Sequence, residues 1–243
     1  MNDPMNTEPV QSAADQKLQT EFNRWATDGR GEEMERHHAD ITAQTLALMD
    51  LRPGERVLDL GCGAGWATRL LAQRVAGDAE GRGAAIGLDV SDEMLKLARV
   101  NSIGMAHVQF VWGSAESIPA EEGFFDKVLS VESFYYYADQ GKALDELRRV
   151  LTPGGELFIL INLYKDNHYS LRWADALQVP VQVRSEAEYV ELLVQHGFEA
   201  RALRVPDHTP TPEVYSGKWF RNAEELRDFK RIGALLLIGK MPA

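Results

Sequence analysis

The chain has 243 residues, 44% of them hydrophobic, and a formal net charge of −11. That length is enough for one substantial core and suits a single α/β domain. Nucleic acid and anionic membranes both repel a polyanion, and one lone cysteine, Cys62, excludes an intrachain disulfide framework. The expectation is a cytoplasmic protein, monomer or homodimer, with no nucleic acid and no membrane among its partners.

Residues 1–16 are polar and read as a flexible tail, not a secretory signal. Arg56–Leu60 is the first predicted strand. It runs into Gly61-Cys62-Gly63-Ala64-Gly65 and a helix over Trp66–Val75. Gly, Asp and Glu dominate 77–83, a surface turn. A strand over 85–89 is followed by a helix over 91–101, with Ser91 as N-cap ahead of the acidic pair Asp92 and Glu93. Strands follow at Val108–Trp112 and 127–131. The helix predicted over 139–151 carries Leu144, Leu147 and Leu151 on one face, and Pro153-Gly154-Gly155 stops it before a strand over 156–163. Such alternation predicts βαβ units and a mainly parallel sheet. The last third breaks the pattern, with a helix over 185–196, a strand over 198–205, a loop rich in proline, a helix over 223–231 and a strand over 233–239. The apolar runs 157–161 and 234–238 are strand-length and far too short to span a bilayer.

A strand entering a glycine cluster and then a helix makes a tight turn that lets a nucleotide-type ligand approach the backbone. The spacing is Gly-x-Gly-x-Gly, whereas a dinucleotide fold uses Gly-x-Gly-x-x-Gly. Asp89 ends the second strand, where a carboxylate accepts from ribose hydroxyls. Small residues in Gly113-Ser114-Ala115-Glu116 leave room for an adenine edge after the third strand. Cys62 reads as a small residue packed in the turn, not a nucleophile, and no Cys/His spacing suggests a metal.

These segments resemble the class I S-adenosylmethionine-dependent methyltransferases, in particular the small-molecule group that includes quinone C-methyltransferases (type 11). The resemblance rests on Val57-Leu58-Asp59-Leu60-Gly61-Cys62-Gly63-Ala64-Gly65, Ile86-Gly87-Leu88-Asp89-Val90-Ser91, Gly113-Ser114-Ala115-Glu116-Ser117-Ile118-Pro119, Phe125-Asp126-Lys127-Val128 and Arg148-Arg149-Val150-Leu151-Thr152-Pro153-Gly154-Gly155, in the family's order. It implies a single doubly wound, Rossmann-like α/β domain. Its seven-stranded sheet would have the order 3-2-1-4-5-7-6, mainly parallel with the last strand antiparallel. A helical lid would occupy 17–52, a cofactor-binding core 53–163, and substrate-side insertions with the terminal strands 164–243. By the same resemblance S-adenosylmethionine is the cofactor. Gly61, Cys62, Gly63 and Gly65 border its methionine and ribose, Asp59 supports the turn, and Asp89 and Val90 meet the ribose. Met94, Ser114, Ala115 and Glu116 surround the adenine, and Val131 and Glu132 lie beside the sulfonium.

Methyl transfer from a sulfonium needs alignment and exclusion of water, with a base only where the acceptor loses a proton. On the acceptor side the candidates are Tyr136 and Tyr137 of Phe134-Tyr135-Tyr136-Tyr137, and His37 or His38 as base. Asn162 to Tyr169, with Trp173, reads equally as pocket wall or solvent loop. The expected activity is methylation of a small molecule with release of S-adenosylhomocysteine. The alternatives are a protein or RNA acceptor, a non-catalytic S-adenosylmethionine-binding protein and, disfavoured by the glycine spacing, an NAD-dependent oxidoreductase.

Overall fold

A computed structural model describes residues 11–77 and 83–243. The first ten residues of the expected tail and residues 78–82 of the expected turn lie outside that range. The helices are α1 Ala13–Thr27, α2 Arg30–Leu48, α3 Trp66–Val75, α4 Asp92–Asn101, α5 Gln140–Val150, α6 Leu171–Ala174, α7 Glu186–Gln195 and α8 Ala223–Ile232. The strands are β1 Arg56–Leu60, β2 Ala84–Asp89, β3 Val108–Trp112, β4 Phe125–Val131, β5 Leu151–Ile161, β6 Glu199–Val205 and β7 Ala234–Lys240. They form one sheet in the order β3-β2-β1-β4-β5-β7-β6. The first five run parallel, and β7 pairs antiparallel with both β5 and β6.

Strand alternation divides the core between the two faces of the sheet. Leu58, Val128, Ile159 and Leu237 pack with Leu144 and Leu147 of α5 and Tyr189 of α7. Their chain neighbours Val57, Leu129, Phe158 and Leu236 pack with Leu71 of α3 and Ile41 of α2. Each such buried aliphatic side chain contributes roughly 1.5–3 kcal/mol against its exposed state. Both layers hold the ends of β1 to β4 in fixed register.

Two boundaries differ from the sequence reading. Residues 13–16 belong to α1, not to a tail. A capping box fastens them, with Ser12 Oγ accepting from Asp15 N–H and Asp15 Oδ2 accepting from Ser12 N–H. Pro153-Gly154-Gly155 lies inside β5 instead of stopping a helix ahead of it. Leu151 pairs with Phe125 and Glu156 with Lys127, so the residues between are accommodated as a register shift. α6 and a 3-10 turn over Phe134–Tyr136 are short elements that periodicity does not reveal.

Candidate active site

The carboxyl ends of β1 to β4 open onto a cleft, the place where open α/β sheets bind ligands. Helix α1 crosses it, presenting Asp15, Leu18, Phe22 and Trp25 to the cavity from one face. Polar contacts fasten the helix along its length. Ser114 Oγ donates to Asp15 Oδ1 (2.8 Å), Gln19 Nε2 donates to Asp92 (2.9 Å), and Asn23 Oδ1 accepts from Ser91 Oγ (2.7 Å).

The three glycines of the turn serve different needs. A Cβ on Gly61 would lie 2.5 Å from that of Ser133, and one on Gly65 would lie 2.7 Å from the Phe110 ring. A Cβ on Gly63 would meet nothing within 4 Å, although the residue lines the cleft. Gly63 is therefore the cradle position, bare towards the ligand, and its φ of +51° is one that L side chains rarely adopt. Gly65 caps α3 and packs inward instead of bordering the cleft. Asp59 also lies beneath the cavity, accepting from Thr68 Oγ1 at 2.6 Å. Burial raises its pKa to about 7 against the opposing Thr68 bond. Neither residue lines the cleft: Asp59 supports the turn from beneath, and Gly65, expected to border the cofactor, packs inward against Phe110. Burial likewise pushes the Cys62 thiol well up, so it stays protonated.

Asp89 lines the cleft while only 8% exposed. Its Oδ2 accepts from Gly63 N–H and its Oδ1 from Ser91 N–H, each at 2.8 Å, which fixes both oxygens in direction. Burial raises its pKa, and those N–H groups oppose the rise. Val90, Met94, Ser114, Ala115 and Glu116 line the same end. The Glu116 carboxylate accepts from Asp139 N–H at 2.8 Å.

At the other end β4 delivers Val131, Glu132 and Ser133. Glu132 has φ +53°, a left-handed conformation held by its own contacts: Asn162 N–H donates to Oε1 at 2.6 Å and the Tyr135 hydroxyl to Oε2 at 2.9 Å. Burial raises the Glu132 pKa, and the nearby His38 opposes it. His38 Nδ1–H donates to the Met34 carbonyl at 2.7 Å, so the neutral ring keeps Nε2 as its acceptor. Tyr136 and Tyr137 line the cavity, with the Tyr137 hydroxyl bonded to Ser133 Oγ at 2.8 Å and the Tyr136 ring edge-on to Phe22.

His38 reaches the cleft and His37 does not. One residue along α2 turns His37 about 100° around the axis, into an exposed position. The segment after β5 does not line the cleft: Tyr164 and Asn167 are fully buried outside it, while Lys165, Asp166 and His168 are exposed to solvent. Asp15, Leu18, Phe22 and Ser133 are site residues that the sequence reading missed. Ser12-x-x-Asp15, a helix-start signature, and the Asp15/Leu18/Phe22/Trp25 spacing were the available signals. Among the described residues no cluster of three or more His, Cys, Asp or Glu is arranged to hold a metal ion, and no helix is long and apolar enough to cross a membrane.

The sheet order, the glycine turn and the carboxylate closing β2 define a class I, nucleotide-binding methyltransferase architecture. A family model described as a methyltransferase domain matches residues 58–159. A structure of the Haloferax volcanii Trm112 methyltransferase activator in complex with a methyltransferase superposes at a TM-score of 0.84. It is 32% identical, over 92% of this chain and 98% of the other. The chain belongs to the class I S-adenosylmethionine-dependent methyltransferases of the type 11 group. Demethylmenaquinone methyltransferase from Bacillus mycoides is 33% identical over 125 residues, 51% of either protein. A 37.1 kDa protein in transposon TN4556 of Streptomyces fradiae is 39% identical over 112 residues, 46% of this chain and 31% of its own. The chain thus matches between about a third and a half of the length of these curated relatives. A methyltransferase from Aquifex aeolicus, at 20% identity and a TM-score of 0.61 over 88% of this chain and 98% of the other, shares the fold.

The donor set fits the family's cofactor. Gly63 leaves open the space a Cβ would fill, Asp89 offers directed acceptors, and Glu132 with the Tyr136 and Tyr137 rings is suited to a positive charge.

Proposed function

We propose that the protein transfers a methyl group from S-adenosylmethionine to a small-molecule acceptor and releases S-adenosylhomocysteine. The observation that carries this reading is the continuity of one cleft, from Gly63, Asp89 and Ser114 to an aromatic end formed by Phe22, Trp25, Tyr136 and Tyr137. When bound, the donor supplies an electrophilic methyl group on a sulfonium. The chain's own work is orientation and water exclusion. Gly63 and Asp89 hold the nucleoside end, while the aromatic side chains and α1 exclude solvent. His38 Nε2 takes the proton from acceptors that lose one, with Glu132 beside the imidazolium that forms. The demethylmenaquinone methyltransferase relatives favour a planar, ring-containing acceptor.

Purified protein incubated with S-adenosylmethionine and a panel of phenols, hydroquinones and amines should release S-adenosylhomocysteine with at least one of them. Release only with added protein or RNA would replace the small-molecule reading. A second reading concerns assembly: the Haloferax methyltransferase is described with a Trm112 activator, and we infer a small activator protein for this chain too. Co-expression with a Trm112 homologue should give a stable 1:1 complex by size exclusion and light scattering. Independent elution of the two proteins would reject that reading.

A further inference from the structure

Resting on the donor assignment above, we infer that Asp15 of α1 reads the exocyclic amino group of the donor's adenine. Asp15 is 4% exposed yet lines the cleft, and it does so beside Ser114 and Ala115, the end furthest along the sheet from Glu132. Of the other carboxylates at that end, the donor assignment already gives Asp89 to the ribose, and Glu116 accepts from Asp139 N–H. Asp15 divides its work between its oxygens. Oδ2 accepts from Ser12 N–H and Ser12 Oγ, whereas Oδ1 accepts only from Ser114 Oγ. A carboxylate oxygen has about two acceptor sites, so Oδ1 keeps one. Capping α1 uses Oδ2 alone and would be satisfied by an exposed aspartate. The second contact, across 99 residues of sequence, aims the other oxygen at the donor end of the cleft.

The helix also has the right reach. Asp15 and Phe22 lie seven residues apart, about 10 Å along the axis, and Phe22 meets Tyr136 at a centroid distance of 5.0 Å. Helix α1 therefore contributes to both ends of the cleft and forms part of the donor site. A carboxylate there favours adenine, whose amino group donates, over hypoxanthine, whose carbonyl oxygen only accepts.

The test is calorimetric titration of the wild-type protein and Asp15→Asn with S-adenosylhomocysteine and S-inosylhomocysteine. Wild type should bind the adenine compound at least tenfold more tightly. In Asp15→Asn the amide oxygen remains with Ser12, so Nδ2 replaces Oδ1 as a donor, and the preference should shrink at least tenfold or invert. Equal wild-type affinities, or an unchanged ratio in a variant that folds normally, would overturn the inference while leaving the donor reading intact. Binding of neither compound would overturn both. Should Asp15→Asn fail to fold, the ratio in Ser114→Ala decides instead. That variant loses the hydroxyl that orients Oδ1 and that also accepts from Glu116 N–H, and its preference should fall as well.

Discussion

At the turn after β1, neighbouring glycines are required by different things, and substitution separates them. Gly61→Ala places a methyl against Ser133 at a backbone φ of +75°. Overpacking and left-handed strain together should cost about 2–4 kcal/mol of stability, read by urea denaturation. Gly63→Ala carries only the strain of roughly 1–2 kcal/mol, yet its methyl enters the cleft, so affinity for S-adenosylhomocysteine should fall at least tenfold while the fold persists. Equal effects of the two changes on binding and stability would contradict this division. His38→Gln should lower kcat at least ~100-fold for a phenolic acceptor with donor affinity unchanged, whereas His37→Gln should leave both within twofold. Asp59 yields a pH prediction. Its folded pKa lies above the ordinary 3.8, at about 7, so its contribution to stability is fully present below pH 4 and is lost as pH rises towards 7. Relative to Asp59→Asn, wild type should therefore lose up to ~4 kcal/mol between pH 4 and 8, and parallel stability curves would refute the buried, neutral carboxyl. Sequence could identify Asp89 and Gly63, because strand-to-turn spacing is local. It could not identify the Asp15–Ser114 pair, whose partners meet only when α1 folds across the cleft.

Among the elements, α1 lies across the cleft and lines it with Asp15, Leu18, Phe22 and Trp25. Asn23 joins it to the start of α4 by accepting from Ser91 Oγ and Glu93 N–H. Each such bond is worth about 1 kcal/mol, so Asn23→Ala should raise amide exchange across residues 13–27 roughly tenfold and speed donor release. Exchange unchanged from wild type would show that the Asn23 bonds do not hold the helix. Most elements were legible because their periodicity is strong and their caps are local: Trp66–Val75 sits between Gly65 and Ala76, and Asp92–Asn101 starts at Ser91. The α5–β5 junction was not. Pro153-Gly154-Gly155 reads as a stop, and only pairing with β4 and β7 shows it absorbed within a strand.

In the whole molecule, the seven-stranded order follows from the resemblance and is present in the structure, including the antiparallel β7. The helices on both faces leave the carboxyl ends of β1 to β4 as the exposed mouth of a cleft otherwise closed by α1. The acceptor's identity was not legible, since the residues proposed to meet it lie on α1, α2 and the turn after β4, elements brought together only by tertiary packing. Equilibrium titration with S-adenosylmethionine and S-adenosylhomocysteine decides whether this mouth binds the methyl donor. Saturable 1:1 binding is expected, weakened in Asp89→Ala by about 1–3 kcal/mol through loss of charged hydrogen bonds. No binding of either compound at millimolar concentration, or wild-type affinity in Asp89→Ala, would contradict the donor assignment.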